Sequence, residues 1–355
     1  MQLIINYLRA SAFLALLNLL PAVAQAQSLL RVDQPLHYMT AITPTLALSK
    51  RIDLIQYIWG QATPDPKAVG LTFPGTGNGG EMAPAYFGRT PQSSNWLAFY
   101  QDNYIVARTY YATFAGSDCL AIVNGGHSQG FFNTTSLPNY NIAGVDALVR
   151  SLAAKPCDII LNSMPIMGEN RFAAAYIGIN PDTNEAHGQM AALLPTTGSS
   201  LKYFLDPALS SLNYALSQRS YSKVIAVGIS GGGWATTMLA AIDTRIHRSY
   251  AVAGSVPLSY RAFEPEGDWE QYNVPMDYLD LYAMSVAETG RRGYLFYNGK
   301  DGCCFQAQAV FPWAGPLRKA LAGFPGTFGV FMAYAKATHD IQPSFAEFIL
   351  NDLGN

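Results

Sequence analysis

Two pentapeptides in this chain read G-x-S-x-G: Gly228-Ile229-Ser230-Gly231-Gly232 and Gly126-His127-Ser128-Gln129-Gly130. The pattern describes a serine held on a sharp strand-to-helix turn, with its hydroxyl presented as a nucleophile. The pentapeptide is weak by itself, and its flanks decide. Val224–Gly228 (VIAVG) enters the first match as a short apolar strand, and Trp234–Ile242 leaves it as a helix. Ala235, Thr236 and Thr237 keep the first helical turn small. The second match is followed by Phe131, Phe132, Asn133, Thr134, Thr135 and Ser136 and stops at Pro138, which reads as a loop. Ser230 is therefore the candidate nucleophile. The loop carrying Ser128 suits a different role, because Gly126 or His127 can offer a backbone N–H beside that of Gly231. Two such donors make an oxyanion hole.

A serine hydroxyl needs a base to take its proton. Of His37, His127, His187, His247 and His339, only the last follows the final expected strand and precedes the final helix. That is the carboxyl end of a strand, where open α/β sheets place their sites. His247 precedes a strand and falls at the opposite edge. A carboxylate must then fix the imidazole tautomer. Asp301 comes just after the strand Tyr294–Tyr297, again at a carboxyl end, and gives the chain order Ser, Asp, His. Asp340 adjoins His339 too closely to orient it well, and Asp268 and Asp277 lie in what reads as an insertion. His187 and Trp234 are candidate pocket residues. No metal or cofactor is implied: the four cysteines, Cys119, Cys157, Cys303 and Cys304, show no paired C-x-x-C spacing.

The elements that must carry these groups alternate. CLAIVN (119–124), DIILN (158–162), VIAVG (224–228), 249–253, 294–297 and 328–334 read as strands, and 142–155, 201–218, 234–242 and 344–353 as helices. Strands alternating with helices imply an α/β domain with a mostly parallel sheet and helices on both faces. Residues 171–220 and 257–290 read as insertions forming a cap, and 27–115 as an N-terminal extension of one domain spanning 27–355. Within that extension, Gly75, Gly77, Gly79 and Gly80 form a loop that lacks the Lys-Ser/Thr end of a phosphate-binding P-loop.

Half of the 355 residues are hydrophobic and 13% are charged, with a net charge of −2. Disorder needs the reverse balance. Nucleic-acid binding needs a basic stripe, which is missing from the sequence. Residues 1–26 read as a signal peptide: Arg9, an apolar stretch from Ala10 to Leu20, then Ala24-Gln25-Ala26 as a cleavage site. The apolar stretch is shorter than the roughly 20 residues that a membrane span requires. The expected product is exported to the periplasm or the extracellular space, without stable membrane insertion.

From about residue 119 to 353 the chain resembles the α/β-hydrolase superfamily. The likeness lies in the succession of strand, oxyanion loop, helix, a strand ending in Met164-Pro165-Ile166-Met167-Gly168-Glu169-Asn170, insertion, elbow serine, acid and histidine. One departure is Asn124, where relatives often carry histidine at the end of the oxyanion strand. The resemblance implies a serine hydrolase cleaving small-molecule or polymeric carboxylic esters through an acyl-enzyme. Ser230, His339 and Asp301 would form its triad, with Gly126, His127 and Gly231 at the oxyanion. Amide or peptide cleavage by the same triad, or a non-catalytic binding protein on the same fold, are the alternatives. The resemblance also makes the strands beginning at Cys119 and Cys157 parallel neighbours, within reach of a disulfide. Cys303 and Cys304 would then be free or joined to each other.

Overall fold

The computed structural model describes residues 41–64, 71–74, 86–100, 106–127, 130–132, 143–180, 186–261, 269–303 and 305–354. The expected leader, the 75–80 glycines, Ser128, Asp268 and Cys304 lie outside these residues. The strands are β1 (Leu71–Pro74), β2 (Ser93–Tyr100), β3 (Val106–Thr113), β4 (Cys119–Asn124), β5 (Cys157–Asn162), β6 (Lys223–Ile229), β7 (Arg248–Val252), β8 (Arg292–Asn298) and β9 (Thr327–Ala333). The helices are α1 (Pro44–Trp59), α2 (Ala143–Ala154), α3 (Phe172–Ile177), α4 (Ala186–Gln189), α5 (Lys202–Gln218), α6 (Gly231–Ile242), α7 (Trp269–Tyr272), α8 (Tyr278–Met284), α9 (Ala307–Ala320) and α10 (Pro343–Gly354).

One sheet runs β1-β2-β3-β5-β4-β6-β7-β8-β9. From β5 to β9 every pairing is parallel, and β1, β2 and β3 extend the sheet antiparallel. The parallel strands CLAIVN and CDIILN are buried at every position. Apolar runs without alternation are what a sheet covered on both faces demands. The two layers of cover can be read from β8. Neighbouring strand residues point to opposite faces. Phe296 packs on Phe345 and Phe348 of α10, while Tyr297 meets Trp313 of α9. Tyr282 of α8 stacks on the same Trp313, so α8 and α9 share a face.

The described part of the N-terminal extension packs into the same sheet and core. It supplies β1, β2 and β3 to the same sheet, and α1 buries Arg51 against the core. The Arg51 guanidinium donates to the carbonyls of Ala241 and Met284 (both 2.6 Å) and pairs with Glu288. Within the expected insertion 171–220, α5 lies directly on β3 and β5 with Leu205, Ala208, Leu209 and Leu212 buried, and Thr109 and Ser211 join hydroxyls at 2.6 Å. Finally, α9 forms despite Pro312 and Pro316. Burial of Val310, Trp313 and Leu317 on one face outweighs two prolines.

Cys119 and Cys157 stand opposite each other in the β4–β5 register and form a disulfide, with Cα atoms 4.5 Å apart. Cys303 is also disulfide-bonded, which removes the free alternative for it; Cys304 lies outside the described residues.

Candidate active site

The sequence places Ser230 where β6 ends and α6 begins. Its backbone takes φ 57° and ψ −129°, a strained conformation for a residue with a side chain. The fold holds it there: Ser230 N–H donates to Val252 O (3.0 Å), and Ser230 O accepts from Trp234 N–H (2.9 Å). The turn closes only because the flanking positions are glycine. A Cβ on Gly228 would lie 2.5 Å from Gly232 O, and one on Gly232 would lie 2.0 Å from Asn124 O. Ile166 (φ 55°) and Ala253 (φ 42°) are similarly strained. They follow β5 and β7, so strain collects along one edge of the sheet on both sides of Ser230. The unpaired N–H groups of α6 begin at that same edge.

Gly126 lies against this turn: a Cβ there would be 2.8 Å from Ile229 O and 3.1 Å from Ser230 Cβ. The loop that carries it is anchored from both ends. Gly125 N–H donates to Asn162 O (2.9 Å), Asn162 Nδ2 donates to Asn124 Oδ1 (2.9 Å), and Asn124 Nδ2 donates to Thr236 Oγ1 (3.1 Å). Asn124 thus ties β4 to its neighbour β5 and to the first turn of α6. Farther along, Glu169 Oε1 accepts from the N–H groups of Phe131 (2.6 Å) and Phe132 (2.9 Å), and its other oxygen accepts from Ser163 Oγ. Glu169 went unassigned in the sequence, although it stands in the Met164–Asn170 motif.

Asp301 and His339 meet. His339 Nδ1 donates to Asp301 Oδ2 at 2.8 Å, and Asp301 Oδ1 accepts from Cys303 N–H at 2.8 Å. Asp301 is fully buried. The two loops are laced together by Lys300 N–H to Lys336 O (2.9 Å), Gly302 N–H to Ala337 O (3.1 Å) and Asn298 Nδ2 to Asp340 O (2.9 Å). His339 Nε2 is buried and accepts or donates no hydrogen bond, so the imidazole is held by one nitrogen with the other uncommitted. The hydroxyl of Ser230 does not hydrogen-bond to it here. Asp340 serves the backbone instead, and its Oδ1 accepts from Gly144 N–H (3.1 Å) and Ile341 N–H (2.8 Å). Burial pushes the Asp340 carboxyl up despite those bonds and the nearby His339. Asp277 caps α8 through Leu279 N–H (2.9 Å).

The remaining two sequence candidates have different settings. Trp234 is wholly buried, edge-on to Phe204, and so belongs to the core beneath the turn rather than to an open pocket wall. His187 is buried too, and joins a group that includes His127 and Glu270. His127 Nε2 and His187 Nδ1 are 3.1 Å apart, and each lies 3.2 Å from an oxygen of Glu270. Burial pushes the Glu270 carboxyl up, but the two imidazoles more than offset this and leave it below the ordinary carboxylate range. Glu270 was missed in the sequence; its only signal is a charge inside the segment Trp269–Tyr272 of a charge-poor chain.

No family model matches the chain, and neither does any curated protein. Solved structures do. Methylesterase BT1017 superposes with a TM-score of 0.53 at 14% identity, over 93% of this chain and 66% of its own, so the chain spans just under two thirds of that protein. A glucuronoyl esterase from Teredinibacter turnerae T7901 gives 0.53 at 11% identity, over 88% and 86%. One from Solibacter usitatus gives 0.52 at 11%, over 85% and 90%. The chain has the α/β-hydrolase fold. In this α/β-hydrolase sheet the strained Ser230 ends β6, Gly126 follows the adjacent β4, and Asp301 and His339 follow β8 and β9. All four therefore lie beyond the carboxyl ends of parallel strands.

Proposed function

We propose that this α/β-hydrolase is an exported serine esterase with Ser230 as nucleophile, His339 as base and Asp301 as the carboxylate that orients it. The observation that carries the reading is a pairing. A serine forced into left-handed backbone shares a sheet edge with an imidazole whose Nδ1 is bound to a buried carboxylate and whose Nε2 is uncommitted. With Nδ1 donating to Asp301, the neutral ring carries its lone pair on Nε2, the atom that must accept the serine proton.

Ser230 Oγ attacks the ester carbonyl carbon as its proton passes to His339 Nε2. The carbonyl oxygen becomes an oxyanion, held by N–H groups of Gly231 and of Gly126 or His127. Collapse expels the alcohol, which takes the proton from Nε2, and leaves an acyl-Ser230 ester. Water then repeats the sequence in the second half and frees the acid. Asp301 stays ionised and stabilises the transient imidazolium. Ester rather than amide substrates agree with the solved structures it superposes on, which are named as esterases and share low identity with it. Export agrees with the Ala24-Gln25-Ala26 signal and with the Cys119–Cys157 disulfide. No helix among the described residues is long and apolar enough to cross a membrane.

The test is a panel of aryl and alkyl esters set beside the matching amides, for wild type and Ser230→Ala. Ester turnover that drops at least ~10⁴-fold in the variant is the expected result. Amide turnover matching ester turnover would replace the esterase reading with an amidase. Ester turnover undiminished in Ser230→Ala would remove it.

A further inference from the structure

Among the described residues outside the proposed triad, His127, His187 and Glu270 are the group whose donor atoms converge, all within 4.8 Å of one another. They come from three separate segments: the loop after β4, α4 and α7. Their spacing is regular, with 3.1 Å between His127 Nε2 and His187 Nδ1 and 3.2 Å from each nitrogen to a Glu270 oxygen. Donors ~2.0–2.1 Å from a tetrahedral zinc ion lie about 3.3 Å from one another.

The hydrogen bonding around the cluster also points to a cation. His187 Nε2 lies 3.1 Å from Pro165 O, which can only accept, so that nitrogen carries the proton. Nδ1 of the neutral ring is then a lone pair, aimed at Glu270 Oε2 with no proton to share. A ligating imidazole that donates its other N–H to a backbone carbonyl has the usual second partner of a metal-bound histidine. Glu270 Oε1 is fully buried and accepts no hydrogen bond, although His127 Nε2 lies within ion-pair range. A buried carboxylate oxygen whose contact is one imidazole nitrogen at 3.2 Å is costly unless positive charge reaches it.

We propose that His127 Nε2, His187 Nδ1 and Glu270 form a site for a divalent transition-metal ion, zinc in preference, that fastens the oxyanion loop to α4 and α7. Two imidazoles and one carboxylate suit zinc better than calcium or magnesium, which take oxygen donors. His127 keeps 23% of its side chain exposed while the other two are closed off, so the fourth coordination position opens on the His127 side. The site adjoins the nucleophile turn: a Cβ on Gly231 would lie 2.9 Å from Nδ1 and Cε1 of the His127 ring. The inference does not depend on the esterase reading, because it concerns donors that the proposed triad does not use.

The test is metal content. The full-length protein is stripped with a chelator, equilibrated with Zn²⁺ and freed of excess ion. It is expected to retain about one zinc per chain. Co²⁺ in its place is expected to give the strong visible absorption of a tetrahedral site, and Zn²⁺ to raise the melting temperature of the stripped protein. His127→Ala and Glu270→Gln are expected to weaken zinc binding by at least ~10-fold, the lower bound for loss of a mere outer partner. His127 sits at the partly exposed edge, so its variant carries the test if Glu270→Gln fails to fold by circular dichroism. Wild type that retains no zinc and shows no Co²⁺ absorption would overturn the proposal, leaving an imidazolium–carboxylate network. Zinc binding undiminished in a folded His127→Ala would overturn it equally.

Discussion

Two imidazole–carboxylate groups stand out among the described residues, and they are wired differently. In the first, His339 gives one nitrogen to the buried Asp301 and keeps Nε2 uncommitted. In the second, His187 engages both nitrogens, Nε2 with Pro165 O and Nδ1 with Glu270, and a second ring from His127 shares the same carboxylate. A base needs a nitrogen that can receive a proton and release it again. A metal ligand needs a lone pair turned toward the cation and its other nitrogen anchored. The residue types are nearly the same, so position in the fold decides which use a histidine serves.

Mutating the two carboxylates is the sharpest way to break this contrast. Asp301→Asn is expected to lower kcat by ~10⁴-fold, since an amide at that position favours the wrong imidazole tautomer. Its melting temperature should change little, because Asn keeps the shape and can still meet the Cys303 N–H. A loss below tenfold in an ester assay would mean that Asp301 does not orient the base. Glu270→Gln is expected to act mainly on stability, by about 3–5 kcal/mol, because the cation proposed at that cluster loses its buried carboxylate partner. Denaturant unfolding measures this, and a change below 1 kcal/mol would show that the second group is not held by charge.

A more exposed carboxylate gives the contrast a scale. Glu288 pairs with Arg51 and Arg291 but keeps 30% of its side chain exposed. Burial pushes its carboxyl up, yet the hydrogen bond and charge of Arg51 and the charge of Arg291 outweigh this and hold it below the ordinary range. A carboxyl lowered in the folded state stabilises the protein above the unfolded value, ~4.3, and loses that contribution as the pH falls below it. Glu288→Gln should therefore cost about 1 kcal/mol at neutral pH after solvent screening, and the gap to wild type should close in acid. Urea titrations at neutral and acidic pH check the sign, and a gap that widens in acid would reverse it.

The parallel half of the sheet was readable because most of its strands are apolar runs closed by a turn and followed by a helical segment. Ser230, Asp301 and His339 each follow such a run. The antiparallel half was not readable. SSNWLAFY (β2) mixes polar and aromatic residues because it pairs at the margin of the sheet, and its register, Trp96 opposite Tyr110, is fixed by partners distant in sequence. The disulfide was legible only once the two strands were known to be neighbours. The His127–His187–Glu270 group was not legible at all as a group. Its members are scattered over 143 residues of chain, and no spacing rule links a loop after β4 to α4 and α7. Glu169 lay in a motif already noted, but its clasp on Phe131 and Phe132 is visible only when the two loops are seen side by side.

Covalent labelling tests most directly whether Ser230 is the nucleophile. Wild-type protein treated with a fluorophosphonate is expected to gain one adduct, mapped by peptide mass spectrometry to the segment carrying Ser230, and Ser230→Ala is expected to take none. An adduct that persists in Ser230→Ala and disappears in Ser128→Ala would contradict the account and move the nucleophile to the other pentapeptide.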